Sequence, residues 1–214
     1  MKFLSRAALA LLAALPLACT AADESEFKAG QHYKEVRAPQ PVDDPSKIEV
    51  AEVFWYGCSH CHQFEGYIDK WLPGKSGDIA FVRIPAALGR PIGVTHSKAY
   101  YTAEMLGVIE RVHKPLFVAI HKDGKMMGTP EQLRELFVKE GGVKPEDFDG
   151  AFGGFAVDSR VRIAETALRE MGVASTPTVL VHRKWYTNGS MAGGYDKVFK
   201  VVDELVKKAR AEKK

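Results

Sequence analysis

The apolar aromatic run Val53-Phe54-Trp55-Tyr56-Gly57 ends on Cys58-Ser59-His60-Cys61, and an amphipathic helical pattern begins there. Phe64, Tyr67, Ile68 and Trp71 recur at three- and four-residue spacing, which predicts a helix ended by Pro73-Gly74. A strand that delivers two cysteines to the mouth of a helix constrains both fold and chemistry. The first amides of a helix have no backbone partner, and their partial positive charge favours an anion lying against them. Cys58 is therefore expected at the helix mouth, with Cys61 one turn further in and more shielded.

The amino end reads as an export signal. Met1-Lys2-Phe3-Leu4-Ser5-Arg6 is a short positive segment, Ala7 to Ala18 is apolar, and small residues lead into Asp23-Glu24. The apolar stretch is too short to span a bilayer. Removing residues 1–22 takes away Lys2 and Arg6 and lowers the formal net charge from +3 to +1. A nearly neutral chain with interspersed charges gives no electrostatic case for nucleic acid. About 190 residues would remain, enough for one sizeable core or a core with an inserted subdomain.

Of three cysteines, Cys19 lies in the signal region, so a mature chain cut after Ala22 keeps Cys58 and Cys61 alone. A single closely spaced pair is not a disulfide scaffold, because so short a loop constrains little of the unfolded chain. Chemistry explains the pair better than stability does. Cys19 itself has two readings. Pro16-Leu17-Ala18-Cys19 is similar to a bacterial lipobox with proline where leucine is usual, and the plainer reading is ordinary cleavage at Ala21 or Ala22.

Residues 23–47 are polar, carry Pro39, Pro41 and Pro45, and read as an extended lead-in. Ile48 to Tyr56 is expected as a central buried strand. Ile79 to Ile84 is expected to pair with it in parallel through the dithiol helix as crossover. Residues 95–155 then look like a helical insertion. Ser97 to Leu106 and Leu116 to His121 are expected helices. Thr129-Pro130-Glu131-Gln132 carries an N-cap threonine, a first-turn proline and a capping-box glutamine, opening a helix that stops at Gly141-Gly142. A short helix follows Lys144-Pro145. Val157, Val161, Ala164, Leu168 and Met171 mark one face of a long helix ending near Gly172. Thr178 to Val181 resumes strand character, Asn188-Gly189 is expected as a hairpin turn before a further strand, and Val198, Val201, Val202 and Leu205 mark a terminal helix.

Glu52-Val53-Phe54-Trp55-Tyr56-Gly57-Cys58-Ser59-His60-Cys61-His62-Gln63-Phe64-Glu65, with Thr176-Pro177 far downstream, resembles the DsbA family of periplasmic thiol oxidases. The resemblance covers essentially the whole mature chain. It implies an α/β thioredoxin-like fold split into residues 23–94 and 156–214 around the helical subdomain. Two positions depart from the commonest family pattern: Ser59 where proline is usual, and Thr176 where valine is frequent. Both flank the dithiol, where redox tuning is expected.

On this resemblance Cys58 is the attacking thiol and Cys61 the resolving one, with no cofactor beyond their disulfide. His60 can supply a positive charge or an N–H to the Cys58 sulfur. Stabilising that thiolate stabilises the reduced protein and makes the disulfide form a strong oxidant. Pro177 is implied to be a cis-proline facing the dithiol, with Thr176 presenting its backbone to an extended substrate peptide. Glu52 is implied to be a buried acid that shuttles protons near Cys61. Glu65 is read as a favourable charge near the helix start, and Trp55 and Tyr56 as packing residues. The implied partners are reduced, unfolded secreted proteins and a quinone-linked membrane reoxidant like DsbB. The expected location is periplasmic and the expected state monomeric.

Other chemistries share this spelling. Cys58-Ser59-His60-Cys61-His62 is literally C-x-x-C-H, the pattern of covalent haem attachment in an electron carrier. The strand–helix–strand frame and Thr176-Pro177 are left unexplained by that reading. Zinc held by Cys58, Cys61, His60 and His62 would crowd four ligands into one helical turn, which makes tetrahedral closure awkward. Thr176 also fits a disulfide isomerase, but residues 23–47 are too short and polar to form the extra dimerisation domain usual in such proteins.

Overall fold

The computed structural model describes residues 26–213. The expected signal segment 1–22, with Cys19, lies outside the described residues. At the centre is β2 (Ile48–Phe54), seven residues buried without exception. Five of its seven residues are apolar, as neighbours on both sides and cover on both faces favour, and Glu49 and Glu52 are buried among them. β3 (Ile79–Pro85) pairs with it in parallel, as the crossover through α1 (Ser59–Trp71) requires. β4 (Thr178–Val181) pairs with its other side, antiparallel. With β5 (Trp185–Thr187) and β1 (Lys34–Glu35) the sheet runs β1-β5-β4-β2-β3.

Between β3 and β4 the described chain is helical: α2 (Pro91–Met105), α3 (Ile109–His121), α4 (Pro130–Gly141), α5 (Pro145–Phe152) and α6 (Phe155–Met171). These pack with Ala51, Val53, Phe54 and Cys61 into one apolar cluster. The terminal helix α8 (Tyr195–Glu212) covers the opposite side of the sheet. There Val198, Val202 and Leu205 meet Ile48, Val50, Val179 and the Phe64–Ile68 face of α1. The dithiol helix is thus clamped between both clusters.

Local chemistry fixes most ends. Thr129 Oγ1 accepts from Gln132 N at 3.4 Å, and the Gln132 side chain accepts from Gly128 N at 2.9 Å. This variant of the capping box reaches one residue further out than expected. α4 and α6 stop at Gly142 and Gly172, both left-handed with φ of 63° and 76°.

Three expectations need correction. α2 begins at Pro91, not Ser97, because proline is well suited to the first helical position. α3 begins at Ile109, not Leu116, and runs through Pro115. Burial of Val112, His113, Leu116 and Phe117 on one face outweighs a penalty of about 3 kcal/mol for an internal proline. Within the lead-in, the extended pair Lys34–Glu35 forms an edge strand antiparallel to β5. Finally, Asn188-Gly189 is no hairpin turn. Asn188 Oδ1 accepts from Met191 N at 2.9 Å and caps the short helix α7 (Gly189–Ala192). The hairpin turns instead at His182 and Arg183, both at φ 51°. Arg183 is held in that left-handed conformation by two hydrogen bonds to Glu49, at 2.7 and 3.1 Å, and one to the Pro41 carbonyl at 2.9 Å.

Candidate active site

Cys58 is the N-cap of α1, in extended conformation, and its carbonyl accepts from Cys61 N and His62 N, both at 3.1 Å. The sulfur is half-buried and Cys61 is fully buried one turn in, as expected; both are free thiols. No acidic residue stands in the first turn of the helix, so its positive end is left for the sulfur.

The two thiols titrate in opposite directions. A hydrogen bond from the Cys61 thiol is the largest influence holding Cys58 down to about 5. Partial burial opposes it, and the Thr176 side chain and the amides of Cys61 and His60 add to the depression. Burial, foremost, pushes the Cys61 thiol far up, with the bond it gives to Cys58 and the charge of Glu52 acting in the same sense. At neutral pH the pair is a Cys58 thiolate beside a Cys61 thiol.

Opposite the helix mouth, the Thr176–Pro177 peptide is cis. The Thr176 carbonyl oxygen lies 3.6 Å from Cys58 Sγ and accepts from its thiol form. The two contacts of Thr176 thus act on opposite protonation states: its carbonyl takes the thiol hydrogen, and its side chain favours the thiolate. Beside the loop a cleft of about 410 Å³ is lined by Ser175, Thr176, Pro177, Asn188, Ser190 and Tyr195. A larger groove of about 650 Å³ between α3 and α4, lined by Val118 and Leu136 among others, includes neither cysteine nor this loop.

Beneath the pair, Glu52 is completely buried on β2. Burial is the main cause that pushes its carboxyl up to about 8, helped by the nearby charge of Glu65 and opposed by Arg83. Arg83 stands directly across the parallel register from Glu52. Its Nε donates to Glu52 Oε2 at 3.2 Å, while Nη2 donates to both Glu65 oxygens at 3.2 and 3.0 Å. His113 Nε2 lies 3.2 Å from Glu65 Oε1, and its Nδ1 is 2.8 Å from Tyr56 Oη. Glu65 is therefore not an exposed charge at the helix start; it is buried, and Arg83 and His113 hold its carboxyl below the usual range against the effect of burial.

The sequence-expected residues Cys58, Cys61, Ser59, His60, Glu52, Thr176 and Pro177 thus come together at one end of the sheet, but not all with the expected contacts. The backbone amide of His60 is directed at the Cys58 sulfur. Its imidazole is exposed, edge-on to Tyr195 with ring centroids 6.4 Å apart. Ser59 is exposed at the first helical position. Arg83, His113 and Tyr195 join the site beyond what the sequence pattern singles out. Arg83 had a legible signal, being the one cation in an otherwise apolar strand expected beside Glu52. The others belong to remote segments and had none.

The arrangement is incompatible with four ligands on one zinc. His62 turns away to stack on His121, centroids 5.1 Å apart and planes 10° from parallel, and no group of three or more His, Cys, Asp or Glu among the described residues is placed to hold a metal.

A sheet with a helix-capping dithiol facing a cis-proline defines a thioredoxin-like thiol–disulfide oxidoreductase. A family model described as "DSBA-like thioredoxin domain" matches residues 94–206. The chain is 38% identical over 205 residues to a thiol:disulfide interchange protein DsbA of Pseudomonas aeruginosa, covering 96% of each. It is 36% identical to one from Azotobacter vinelandii, over 87% of this chain and 86% of that one. The crystal structure of Pseudomonas aeruginosa DsbA superposes with a TM-score of 0.81 at 37% identity, covering 87% of this chain and 96% of that one. The chain belongs to the DsbA family. Its C-x-x-C-H is the family's dithiol and not a haem attachment site.

Proposed function

We propose that the protein is a periplasmic oxidase that donates its Cys58–Cys61 disulfide to newly exported proteins. The observation that carries this reading is the opposite titration of the two sulfurs: a Cys58 thiolate stabilised at the helix mouth beside a buried, protonated Cys61. Lowering the free energy of the reduced pair raises its reduction potential and makes the disulfide the electron acceptor.

A substrate thiolate attacks Cys58 and the Cys58–Cys61 bond breaks, forming a mixed disulfide. Cys61 is a poor leaving group as a bare thiolate, because burial disfavours its charge. Glu52, whose carboxyl stays protonated up to about pH 8, supplies the proton that Cys61 needs. A second substrate thiolate then attacks the substrate sulfur of the mixed disulfide. Cys58 departs as a thiolate, and two electrons have passed from two substrate thiols to the pair. Attack is directed to Cys58 by exposure, since Cys61 is fully buried. An extended substrate segment lies along the Thr176–Pro177 backbone and the adjoining cleft. A quinone-linked membrane protein like DsbB then accepts the two electrons from the reduced pair and restores the disulfide, and the oxidase acts as a monomer.

Equilibrating the protein with glutathione buffers and measuring its reduced fraction tests the reading. An oxidase stays reduced until the buffer is strongly oxidising. A pair as hard to reduce as a structural disulfide would overturn the proposal.

A further inference from the structure

Trp55 touches both cysteines through its backbone. Its carbonyl accepts from Cys58 N at 2.9 Å, and its amide is directed at the Cys61 sulfur. Where this residue sits therefore decides how both sulfurs are presented. Its side chain is anchored far from it in sequence. Trp55 Nε1 lies 3.0 Å from Nδ1 of His96, on α2, and His96 Nε2 lies 3.2 Å from the Met126 carbonyl, in the loop after α3.

The tautomer follows from donor and acceptor counting. An indole N–H can only donate, so His96 Nδ1 must accept. Nε2 then carries the hydrogen and donates to Met126 O. His96 is almost completely buried, at 1% exposure, and burial holds it toward its neutral form. Arg90 lies over the other side of the indole, 4.9 Å from the ring centroid. The ring also covers Gly57, where any Cβ would collide with Trp55 Cζ2. The indole is thus fixed by a hydrogen bond, a cation and the absence of a side chain at the residue before Cys58.

We infer that His96 is a positioning residue for the redox pair: by accepting the Trp55 indole N–H it fixes the backbone amide and carbonyl that Trp55 presents to Cys61 and Cys58. It is not a catalytic residue, because it contacts neither sulfur in the described hydrogen bonds. The inference rests on Cys58 and Cys61 being the exchanging pair.

Two amide substitutions separate its two bonds. In His96→Asn the side-chain oxygen occupies the Nδ1 position and still accepts from the indole, while the bond to Met126 is lost. In His96→Gln the amide reaches the Nε2 position, so Met126 is kept and the indole is released. Each full chain is equilibrated with glutathione buffers, and the Trp55 indole N–H resonance is recorded in a ¹⁵N-labelled sample. His96→Gln is expected to make the protein a weaker oxidant, shifting the glutathione equilibrium about three- to tenfold, the range of one lost hydrogen bond. The indole resonance moves with it. His96→Asn is expected to restore both readouts to within about twofold of the parent, well inside that range. Equal equilibrium constants for His96→Gln and the parent, or equal shifts for Asn and Gln, would overturn the inference and leave His96 a packing residue. A parent chain that never exchanges with glutathione would instead overturn the Cys58–Cys61 reading itself.

Discussion

Arg83 donates to one oxygen of Glu52 and leaves the other, Oε1, buried without a hydrogen-bond partner among the described residues. A carboxylate so placed is under-solvated, which is why the acid holds its proton up to about pH 8 despite a guanidinium at 3.2 Å.

The sign of the resulting pH dependence is definite. Between its unfolded value and about 8, folded Glu52 holds a proton that the unfolded chain has lost, so its contribution to stability falls as pH rises. Cys58 acts oppositely in the reduced protein. Between about 5 and its unfolded value the folded thiolate has lost a proton that the unfolded thiol keeps, so stability rises with pH. The two slopes offset each other across about pH 5 to 8. In Glu52→Gln only the Cys58 slope remains, and denaturant unfolding of the reduced variant should become more stable as pH rises through this window. The slope is bounded by about 1.4 kcal/mol per pH unit. An unchanged pH profile would remove Glu52 from the proton path.

The two cysteines are not interchangeable. Cys58→Ser should abolish oxidation of a reduced, unfolded substrate, followed by loss of substrate thiols. Cys61→Ala should instead accumulate mixed disulfides, visible as added mass on non-reducing gels. Full activity in the first variant, or no adduct in the second, would reverse or remove the assigned roles.

Thr176→Val keeps the volume and deletes the side-chain hydrogen bond to the Cys58 sulfur. The thiolate absorbance of Cys58 should then titrate higher by about half to one pH unit, the equivalent of one net hydrogen bond. A titration that stays in place or moves downward would remove the Thr176 side chain from the control of this sulfur.

Phe54 ties the sheet to the helical layer, with ring centroids 5.0 Å from Tyr56, 5.4 Å from Tyr100, 5.3 Å from His113 and 6.0 Å from Phe117. Phe54→Ala should lower unfolding free energy by about 3–5 kcal/mol. A loss below about 1 kcal/mol would mean that these rings repack around the vacancy.

Much of this architecture was legible in local patterns. The dithiol after an apolar strand, the helical spacing of Phe64, Ile68 and Trp71, and the Thr129 and Gly142 ends are all decided within a few residues. Covalent geometry and hydrogen bonding act at that range. The turn before β5 shows the limit of that range: Asn-Gly is a strong local hairpin signal, but Asn188 caps a helix, and the real turn needs Glu49 from another strand to hold Arg183.

By itself, the sequence determined that a strand would end on two cysteines at a helix start, because periodicity and helix-end electrostatics are properties of neighbouring residues. Only the tertiary structure decided which groups meet there. The pairing of Glu52 with Arg83, the withdrawal of Glu65 to His113 and the anchoring of Trp55 by His96 join segments tens of residues apart. Burial and desolvation, which set the charge of each of these groups, exist only once the chain has closed around them.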